Sequence, residues 1–286
     1  MLKRELNFEG DSPLLYLVAS PIGNLKEFPL RAIETLREMD YIACEDTRNA
    51  GKLLKFFDIE KPLLSCHEHN EEEASAKIIA LLLAKKKVAY LSDAGYPAIS
   101  DPGSRLSRRC LDANIKVSVI NGPNAAIMAL VASGLPTEHF YFYGFLESKE
   151  SARRKELESL KDFKETIIFY ESPHRIGKTL TDLAAIFGEN RRISIGRELT
   201  KKHEEFIRGT LKDVLSLPME TLLGEMVLVL EGQKETKKIE EKDIASSLKE
   251  KLQTLKAKDA IKETASELAI PKNEVYDFYL KNFKKS

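Results

Sequence analysis

Residues 62–93 read PLLSCHEHNEEEASAKIIALLLAKKKVAYLSD and predict a strand, a helix and a second strand in succession. The short apolar runs at both ends are typical of buried strands. The stretch between them begins with glutamates and ends with lysines, which matches the sign of the helix dipole at each end. Two strands joined by a helix form a βαβ unit, and such units build a parallel sheet.

The same alternation covers the first half of the chain. It predicts strands at 14–19, 40–46, 62–66, 87–93 and 116–120, and helices at 28–39, 70–87 and 105–114. We therefore expect an α/β domain with a parallel sheet over residues 1–134.

The second half differs because fewer helices separate its apolar runs. Strands are predicted at 139–146, 166–170, 191–196, 204–209 and 226–232, and helices at 149–161, 173–187 and 210–217. This pattern favours a mixed sheet with antiparallel pairs. We expect it to form a second α/β domain over residues 135–233, after a junction at 133–138 that contains Gly and Pro.

The end of the chain is more polar. The run 232–243 predicts a linker, and amphipathic helices are expected at 244–255, 259–270 and 271–283. Residues 233–286 hold 13 Lys against 10 Asp and Glu, so this end of the chain is basic. We expect a small helical extension over residues 240–286.

Composition excludes several classes of protein. The 286 residues include 45 Lys and Arg and 45 Asp and Glu, so a uniformly basic surface that coats nucleic acid is excluded. The longest apolar run, at 125–132, is too short for a membrane span. The N-terminus has no apolar signal sequence, and three distant cysteines argue against a disulfide framework. These features predict a soluble cytoplasmic protein.

Two local basic clusters remain as candidate contacts to nucleic acid. They are Arg105, Arg108 and Arg109, and Lys149, Arg153, Arg154 and Lys155.

Unusual loops follow the five strands of the first half. They read SPIGNL (20–25), EDTR (45–48), HEHNE (67–71), SDAGYPAISDPG (92–103) and NGPNA (121–125). Ligands bind at the carboxyl ends of strands in an open parallel sheet, so these loops predict one binding crevice. Gly23 would let the backbone come close to a ligand, because it has no Cβ.

Three familiar sites are disfavoured. The first loop does not have the G-x-G-x-x-G pattern of a dinucleotide site. Residues 171–179, ESPHRIGKT, end like a phosphate-binding loop, but Ser172 stands where glycine is required and Pro173 removes an amide. The run CHEH (66–69) lacks the spacing of zinc ligands, so no metal site is predicted.

Five motifs together carry a resemblance to a known family. SPIGNL, EDTR, SDAGYPAISDPG, NGPNA and YESPHR (170–175) resemble the ribosomal RNA small-subunit methyltransferase I family, a branch of the tetrapyrrole-methylase superfamily. The resemblance runs from about residue 13 to 232, and the C-terminal residues are similar to that family's helix-turn-helix-like extension. It implies two α/β domains of tetrapyrrole-methylase type and a homodimer. It also implies S-adenosyl-L-methionine as cofactor and 2′-O-methylation of a cytidine in the decoding region of small-subunit (16S) rRNA.

The resemblance also implies where the cofactor lies, in a cleft between the two domains. The loops after the first, fourth and fifth strands would hold it from one side, through Pro21, Gly23, Asp93, Ala94, Gly95, Ile99, Gly122, Pro123, Ala125 and Ala126. Tyr170 would close the pocket from the second domain.

The sequence offers several candidates for the catalytic proton acceptor. The chemistry needs a proton acceptor for a weakly acidic hydroxyl. The polar side chains available at strand ends are Glu45, Asp46, His67, Asp93, Glu171 and His174. We expect Glu45 or Glu171 to accept the proton, and Arg48 and Arg175 to position the RNA backbone. The alternative is that both carboxylates are structural and pair with these arginines.

Two other functions remain open at this point. One is a methylase of the same fold that acts on a tetrapyrrole macrocycle, and EDTR, YESPHR and the helical tail argue against it. The other is a non-catalytic RNA-binding adaptor, and the intact glycines and prolines of the five loops argue against it. Either naked RNA or an assembled small ribosomal subunit fits as the partner.

Overall fold

The computed structural model describes Arg4 and residues 6–10, 12–233, 241–268 and 270–283. The chain divides after Gln233 into two compact units. The unit that ends at Gln233 contains both sheets, and the other contains the C-terminal helices.

Within residues 12–233, five parallel strands form the first sheet, in the order β3-β2-β4-β1-β5. They are β1 (Leu14–Val18), β2 (Tyr41–Cys44), β3 (Leu63–Ser65), β4 (Val88–Leu91) and β5 (Lys116–Ile120). The helices between and after them are α1 (Leu30–Glu38), α2 (Thr47–Phe56), α3 (Glu71–Leu83), α4 (Ser104–Asp112) and α5 (Ala125–Ser133). The predicted parallel sheet is confirmed, and all its carboxyl ends meet at one edge.

Helices cover both faces of this sheet. Leu36 of α1 and Leu54 of α2 pack on one face, and Leu82 of α3 and Leu106 of α4 pack on the other. Because both faces are buried, the strands appear in the sequence as continuous apolar runs.

All three cysteines, Cys44, Cys66 and Cys110, are buried and unbonded to one another, and burial raises the pKa of each thiol. They are small core residues.

The second sheet, in the same continuous stretch, also has five strands and the order β6-β7-β10-β8-β9. They are β6 (Phe140–Phe145), β7 (Thr166–Glu171), β8 (Arg192–Arg197), β9 (Glu205–Thr210) and β10 (Met226–Leu230). Only β6 and β7 pair in parallel, so the predicted mixed sheet is confirmed. Three helices pack on one face of it: α6 (Glu150–Leu160), α7 (Ile176–Phe187) and α8 (Leu211–Leu215). Helix α5 packs on the other face.

Two helices were not predicted from the sequence. Helix α2 begins inside the polar EDTR motif, where the Asp46 side chain accepts a hydrogen bond from the Arg48 N–H. Helix α5 is apolar almost all round, so it has no clear hydrophobic periodicity. It begins at Asn124, whose side chain accepts from the Ile127 N–H, and ends at Gly134 in the left-handed conformation.

Residues 241–268 and 270–283 contain three helices with their own core. They are α9 (Glu241–Lys251), α10 (Ala257–Glu267) and α11 (Lys272–Asn282), which pack around Leu248, Ile261 and Val275. Most of the predicted linker, residues 234–240, lies outside the described residues. The division of the chain at 134 and 240 into three domains stays a prediction. No helix among the described residues has the length and apolar character needed to cross a bilayer.

Candidate active site

The loops after β1 and β4 are joined by a short backbone bridge. The Ser20 N–H donates to the Gly95 carbonyl at 2.9 Å, and the Gly95 N–H donates back at 3.1 Å. Gly95 has φ of +69°, a left-handed conformation that glycine adopts without strain. These hydrogen bonds hold two predicted ligand loops in one fixed arrangement.

A cleft of about 390 Å³ opens between this edge and the second sheet. Residues of the first sheet's loops form one wall: Ile22, Ala94, Gly95, Tyr96, Ile99, Ser100, Asp101, Asn124 and Ala125. The opposite wall comes from the second sheet and its loops: Phe145, Tyr170, Glu171, Ser172, Pro173, Gly196, Leu199, Glu225, Met226 and Val227. Its volume and its mixture of apolar side chains with a few polar groups are typical of a small-molecule site.

A second cavity of about 320 Å³ lies beside α2. Its lining includes Pro21, Gly23, Asp93 and Lys52. Neighbouring residues of the same loops therefore face different cavities. Ile22 and Ala94 line the cleft, whereas the residues on both sides of Ile22 and the residue before Ala94 line this second cavity, called the groove below. The predicted cofactor residues divide accordingly. Ala94, Gly95, Ile99, Ala125 and Tyr170 line the cleft, and Pro21, Gly23 and Asp93 line the groove.

Three further predicted cofactor residues line neither cavity: Gly122, Pro123 and Ala126. A Cβ at position 122 would lie 2.7 Å from the Ala19 Cβ, so Gly122 is required by close packing. The Ala126 N–H donates to the Tyr170 hydroxyl, whose pKa is raised mainly by burial. This hydrogen bond ties α5 to β7.

The backbone at Gly23 does come close to another group, but that group is a second loop of the protein and not a ligand. A Cβ there would lie 2.6 Å from Lys201 Cγ and 2.8 Å from Thr200 Oγ1, in the loop after β8. Gly23 thus lets the first loop meet the loop of the other sheet.

The loop after β2 is linked to the loop after β4. Asp93 accepts hydrogen bonds from the Asp46 N–H at 3.3 Å and from the Asn49 side chain at 3.1 Å. The Arg48 guanidinium lies 2.9 Å from the Asp46 carboxylate and holds the pKa of Asp46 down, to about 2. Asp46 is therefore a charged helix cap.

Glu45 has a different environment. Its side chain is partly buried, and no donor among the described residues forms a hydrogen bond to its carboxylate. Burial raises its pKa, and the negative charges of Asp101 and Asp93 raise it further. A carboxylate with a raised pKa and free oxygens is suited to accept a proton.

Both carboxylate oxygens of Glu171 already accept hydrogen bonds. Its side chain has no exposed surface and accepts from the Ser172 N–H at 2.8 Å, Arg175 Nε at 3.0 Å and the Thr179 hydroxyl at 2.5 Å. Arg175 Nη1 also donates to the Leu146 carbonyl at 3.1 Å. This arrangement matches the alternative in which the carboxylate and the arginine hold a loop. His174 is exposed beside them.

Comparison with known proteins agrees with this geometry. Residues 14–215 match the family described as Tetrapyrrole (Corrin/Porphyrin) Methylases. The chain is 46% identical to "Ribosomal RNA small subunit methyltransferase I" of Bacillus subtilis (strain 168), over 98% of this chain and 99% of that protein. It is 44% identical to the protein of the same name from a Synechocystis strain, over 93% and 97%.

The chain belongs to the ribosomal RNA small subunit methyltransferase I family of tetrapyrrole methylases. Its fold is also that of a solved uroporphyrin-III-C-methyltransferase from Thermus thermophilus, with a TM-score of 0.57, 21% identity and coverage of 77% of this chain and 94% of the other. The fold class expected from the sequence is confirmed.

One residue of a predicted basic cluster of this methylase is not available to RNA as expected. Arg153 of α6 is buried, with its Nε 2.8 Å from Asp182 Oδ2 and its Nη1 donating to the Ser148 carbonyl. The sequence did not reveal this ion pair, because Asp182 lies on α7, the next helix along the chain. In the other cluster, Arg108 pairs with Asp112 at 3.3 Å and Arg109 donates to the Glu72 carbonyl at 2.8 Å.

The second wall of the methylase cleft was largely missed. Phe145, Leu199 and Met226 carry no motif, and they come from strands or loops of a mixed sheet. The rule that ligands meet the carboxyl ends of parallel strands does not locate Leu199, in a loop, or Met226, at the start of an antiparallel strand. An aromatic run in a predicted strand, HFYFYGFL, was the only signal for Phe145.

Proposed function

We propose that this methylase transfers a methyl group from S-adenosyl-L-methionine to the ribose 2′-hydroxyl of a cytidine in the decoding region of 16S rRNA. S-adenosyl-L-methionine is the methyl donor of its family. The observation that carries the proposal is the cleft between two sheets, lined by the loops whose motifs resemble the rRNA branch. The relatives named as small-subunit rRNA methyltransferases support the substrate class.

The residues present fit this cofactor. The cleft combines apolar side chains with Asn124, Asp101 and exposed loop backbone, which suits a nucleoside with polar ends. Ser20 directly precedes the second-cavity residue Pro21, and Thr200 directly follows the cleft residue Leu199. The buried hydroxyls of both have no hydrogen-bond partner among the described residues. Such unpaired groups are uncommon in a protein interior and call for a bound water, ion or ligand. Ala94, Gly95, Ile99, Ala125 and Tyr170 would hold the cofactor.

When bound, S-adenosyl-L-methionine supplies a methyl group activated by a positively charged sulfur. The chain's own task is to orient the 2′-oxygen and to remove its proton. Glu45 lines neither cavity, but burial and the charge of the nearby cleft residue Asp101 raise its pKa. We assign the proton to the Glu45 carboxylate, because its oxygens are free among the described residues and it lies near this wall of the cleft. We assign Glu171 and Arg175 to holding the turn after β7, because their polar atoms already bind one another and the Leu146 carbonyl.

Mapping ribose methylation in ribosomes would test the function directly. Mass spectrometry of 16S rRNA from cells with and without the protein should show one cytidine that loses its 2′-O-methyl group. Purified protein should methylate small ribosomal subunits or naked 16S rRNA, and should leave a tetrapyrrole precursor unmodified. Methylation of the macrocycle instead would contradict the proposal. The homodimer, the cytoplasmic location and the choice between subunit and naked RNA stay predictions.

Gly95→Val is expected to weaken binding of S-adenosylhomocysteine at least about tenfold. A branched side chain would be strained at φ of +69° and would project into the cleft. Calorimetric titration measures the affinity. Gly134→Val is the matched control, since φ is +74° there, no atom lies within 4 Å of its Cβ position and it does not line the cleft. If both variants bind like the wild type, the loop after β4 does not form the cofactor site.

Deletion of residues 234–286 should separate cofactor binding from RNA binding. The first unit keeps both sheets and the cleft, so affinity for S-adenosylhomocysteine should be unchanged. Loss of the lysine-rich end should weaken binding to small ribosomal subunits and flatten its dependence on salt, because fewer counterions are released. Binding measured across a salt series checks this. An unchanged affinity and slope would assign the extension a role other than RNA binding.

A further inference from the structure

Phe145 is an exposed aromatic side chain in the wall of the cleft. It lies at the end of β6, lines the cleft and remains 53% exposed. Its ring centre is 5.4 Å from that of Tyr170, at an angle of 63°. This edge-to-face contact leaves much of the Phe145 ring open.

The backbone on both sides of Phe145 is held rigidly. The pairing of β6 with β7 shifts between Phe142 and Gly144, and Gly144 has φ of +89°. After Phe145, the Leu146 carbonyl accepts from Arg175, which is itself fixed by Glu171. The bulge and this anchor set the direction of the Phe145 side chain.

The neighbouring ring is fixed as well. The Tyr170 hydroxyl accepts from the Ala126 N–H of α5, and the Tyr170 ring also contacts Phe142, with centres 5.0 Å apart. Phe145 therefore rests on a rigid aromatic base. Such a surface loses little conformational entropy when a flat ligand stacks on it.

We propose that the Phe145 ring is the stacking platform for the nucleobase of the target nucleotide, presented by an unpaired segment of rRNA. The inference rests on the proposed function and names the residue that receives the substrate. Proteins that recognise RNA by sequence mostly bind unpaired segments, whose bases are splayed out and stack on aromatic side chains. A nucleobase that leaves its stack regains a π contact on an exposed aromatic side chain.

The position of Phe145 favours the base over the cofactor. Four of the five cleft residues assigned to the cofactor come from the side of the first sheet, and Tyr170 is the exception. Phe145 belongs to the opposite wall and lies on the edge strand β6, one strand further out than Tyr170. More than half of its surface is exposed, so the ring is open to an incoming base.

Methylation of small ribosomal subunits that lack this methyl group tests the platform. Phe145→Ala should raise the KM for subunits between about 5-fold and 150-fold, because stacking of one base on an aromatic side chain contributes about 1–3 kcal/mol. Phe145→Leu keeps apolar bulk without a π face and should behave like Phe145→Ala. Phe145→Tyr should stay within about threefold of the wild type. Phe140→Ala is the matched control, since Phe140 is a 42% exposed aromatic on the same strand that does not line the cleft.

The affinity for S-adenosylhomocysteine, measured by calorimetry, distinguishes a role of Phe145 in binding the nucleobase from a role in binding the cofactor. The inference expects it to be unchanged in all four variants. If Phe145→Ala lowers this affinity and leaves the KM for subunits unchanged, the ring binds the cofactor and the inference is overturned. A Phe145→Leu variant with wild-type KM overturns it too, because apolar bulk would then suffice. If the wild type methylates no rRNA, the proposed function itself fails, and the platform fails with it.

Discussion

Glu45→Gln is expected to slow the chemical step of methyl transfer at least about 100-fold, since general-base catalysis is typically worth 10²–10⁴-fold. Glutamine is nearly the same size but cannot take a proton from the ribose hydroxyl. Affinities for S-adenosylhomocysteine and for RNA should stay near those of the wild type. Single-turnover methylation with cofactor and RNA both saturating measures the step without the contribution of product release.

The pH dependence gives the same assignment a second readout. Partial burial and the charges of Asp101 and Asp93 raise the pKa of Glu45, so its carboxylate gains a proton at a higher pH than an ordinary glutamate. The wild-type rate should fall as the pH drops through this raised pKa, and the decline should be absent in Glu45→Gln. Glu73→Gln is the control, because Glu73 is an exposed carboxylate on α3 and is not among the charges that shift the pKa of Glu45. A wild-type rate for Glu45→Gln would show that another group or solvent takes the proton.

Asp182→Ala should destabilise the first unit by about 3–5 kcal/mol, because it leaves the buried Arg153 charge without its partner. The side chains of Arg153 and Asp182 are only 3% and 7% exposed and are joined by contacts of 2.8 Å. Urea unfolding measures the loss as a lower midpoint with an unchanged slope.

Two further variants make this test specific. Asp112→Ala breaks the exposed pair with Arg108 and should cost no more than about 1 kcal/mol. The double variant Arg153→Met with Asp182→Leu should recover most of the stability, since a buried ion pair can be replaced by packed apolar side chains. A loss below about 1 kcal/mol for Asp182→Ala would mean that water reaches Arg153.

The sequence predicted the first sheet and its wall of the cleft for one physical reason. Its strands are buried on both faces, and a parallel sheet presents its carboxyl ends, with Gly95 and Ala125 beyond them, at a single edge. The opposite wall follows no such rule. Phe145 and Met226 reach the cleft from strands that run in different directions.

The sequence also could not predict which charged side chains are exposed. Arg153 and Glu171 stand in polar stretches typical of solvated surface or of a catalytic loop. The structure buries each against a partner four or more residues away, Asp182 for Arg153 and Arg175 with Thr179 for Glu171. Such pairing depends on tertiary contacts. Glu45 has no such partners among the described residues and is only partly buried.

The turn from β7 into α7 has an electrostatic consequence for how RNA enters. The start of a helix normally attracts phosphate through its unpaired N–H groups and positive dipole end. Here the carboxylate of Glu171 lies directly before the helix and accepts from the Ser172 N–H and from the side chains of Arg175 and Thr179. Because Glu171 offsets the charge of Arg175, this rim attracts a phosphate less strongly than a free arginine at a helix start would. Binding at this rim should therefore depend less on salt than binding through the lysine-rich end of the chain.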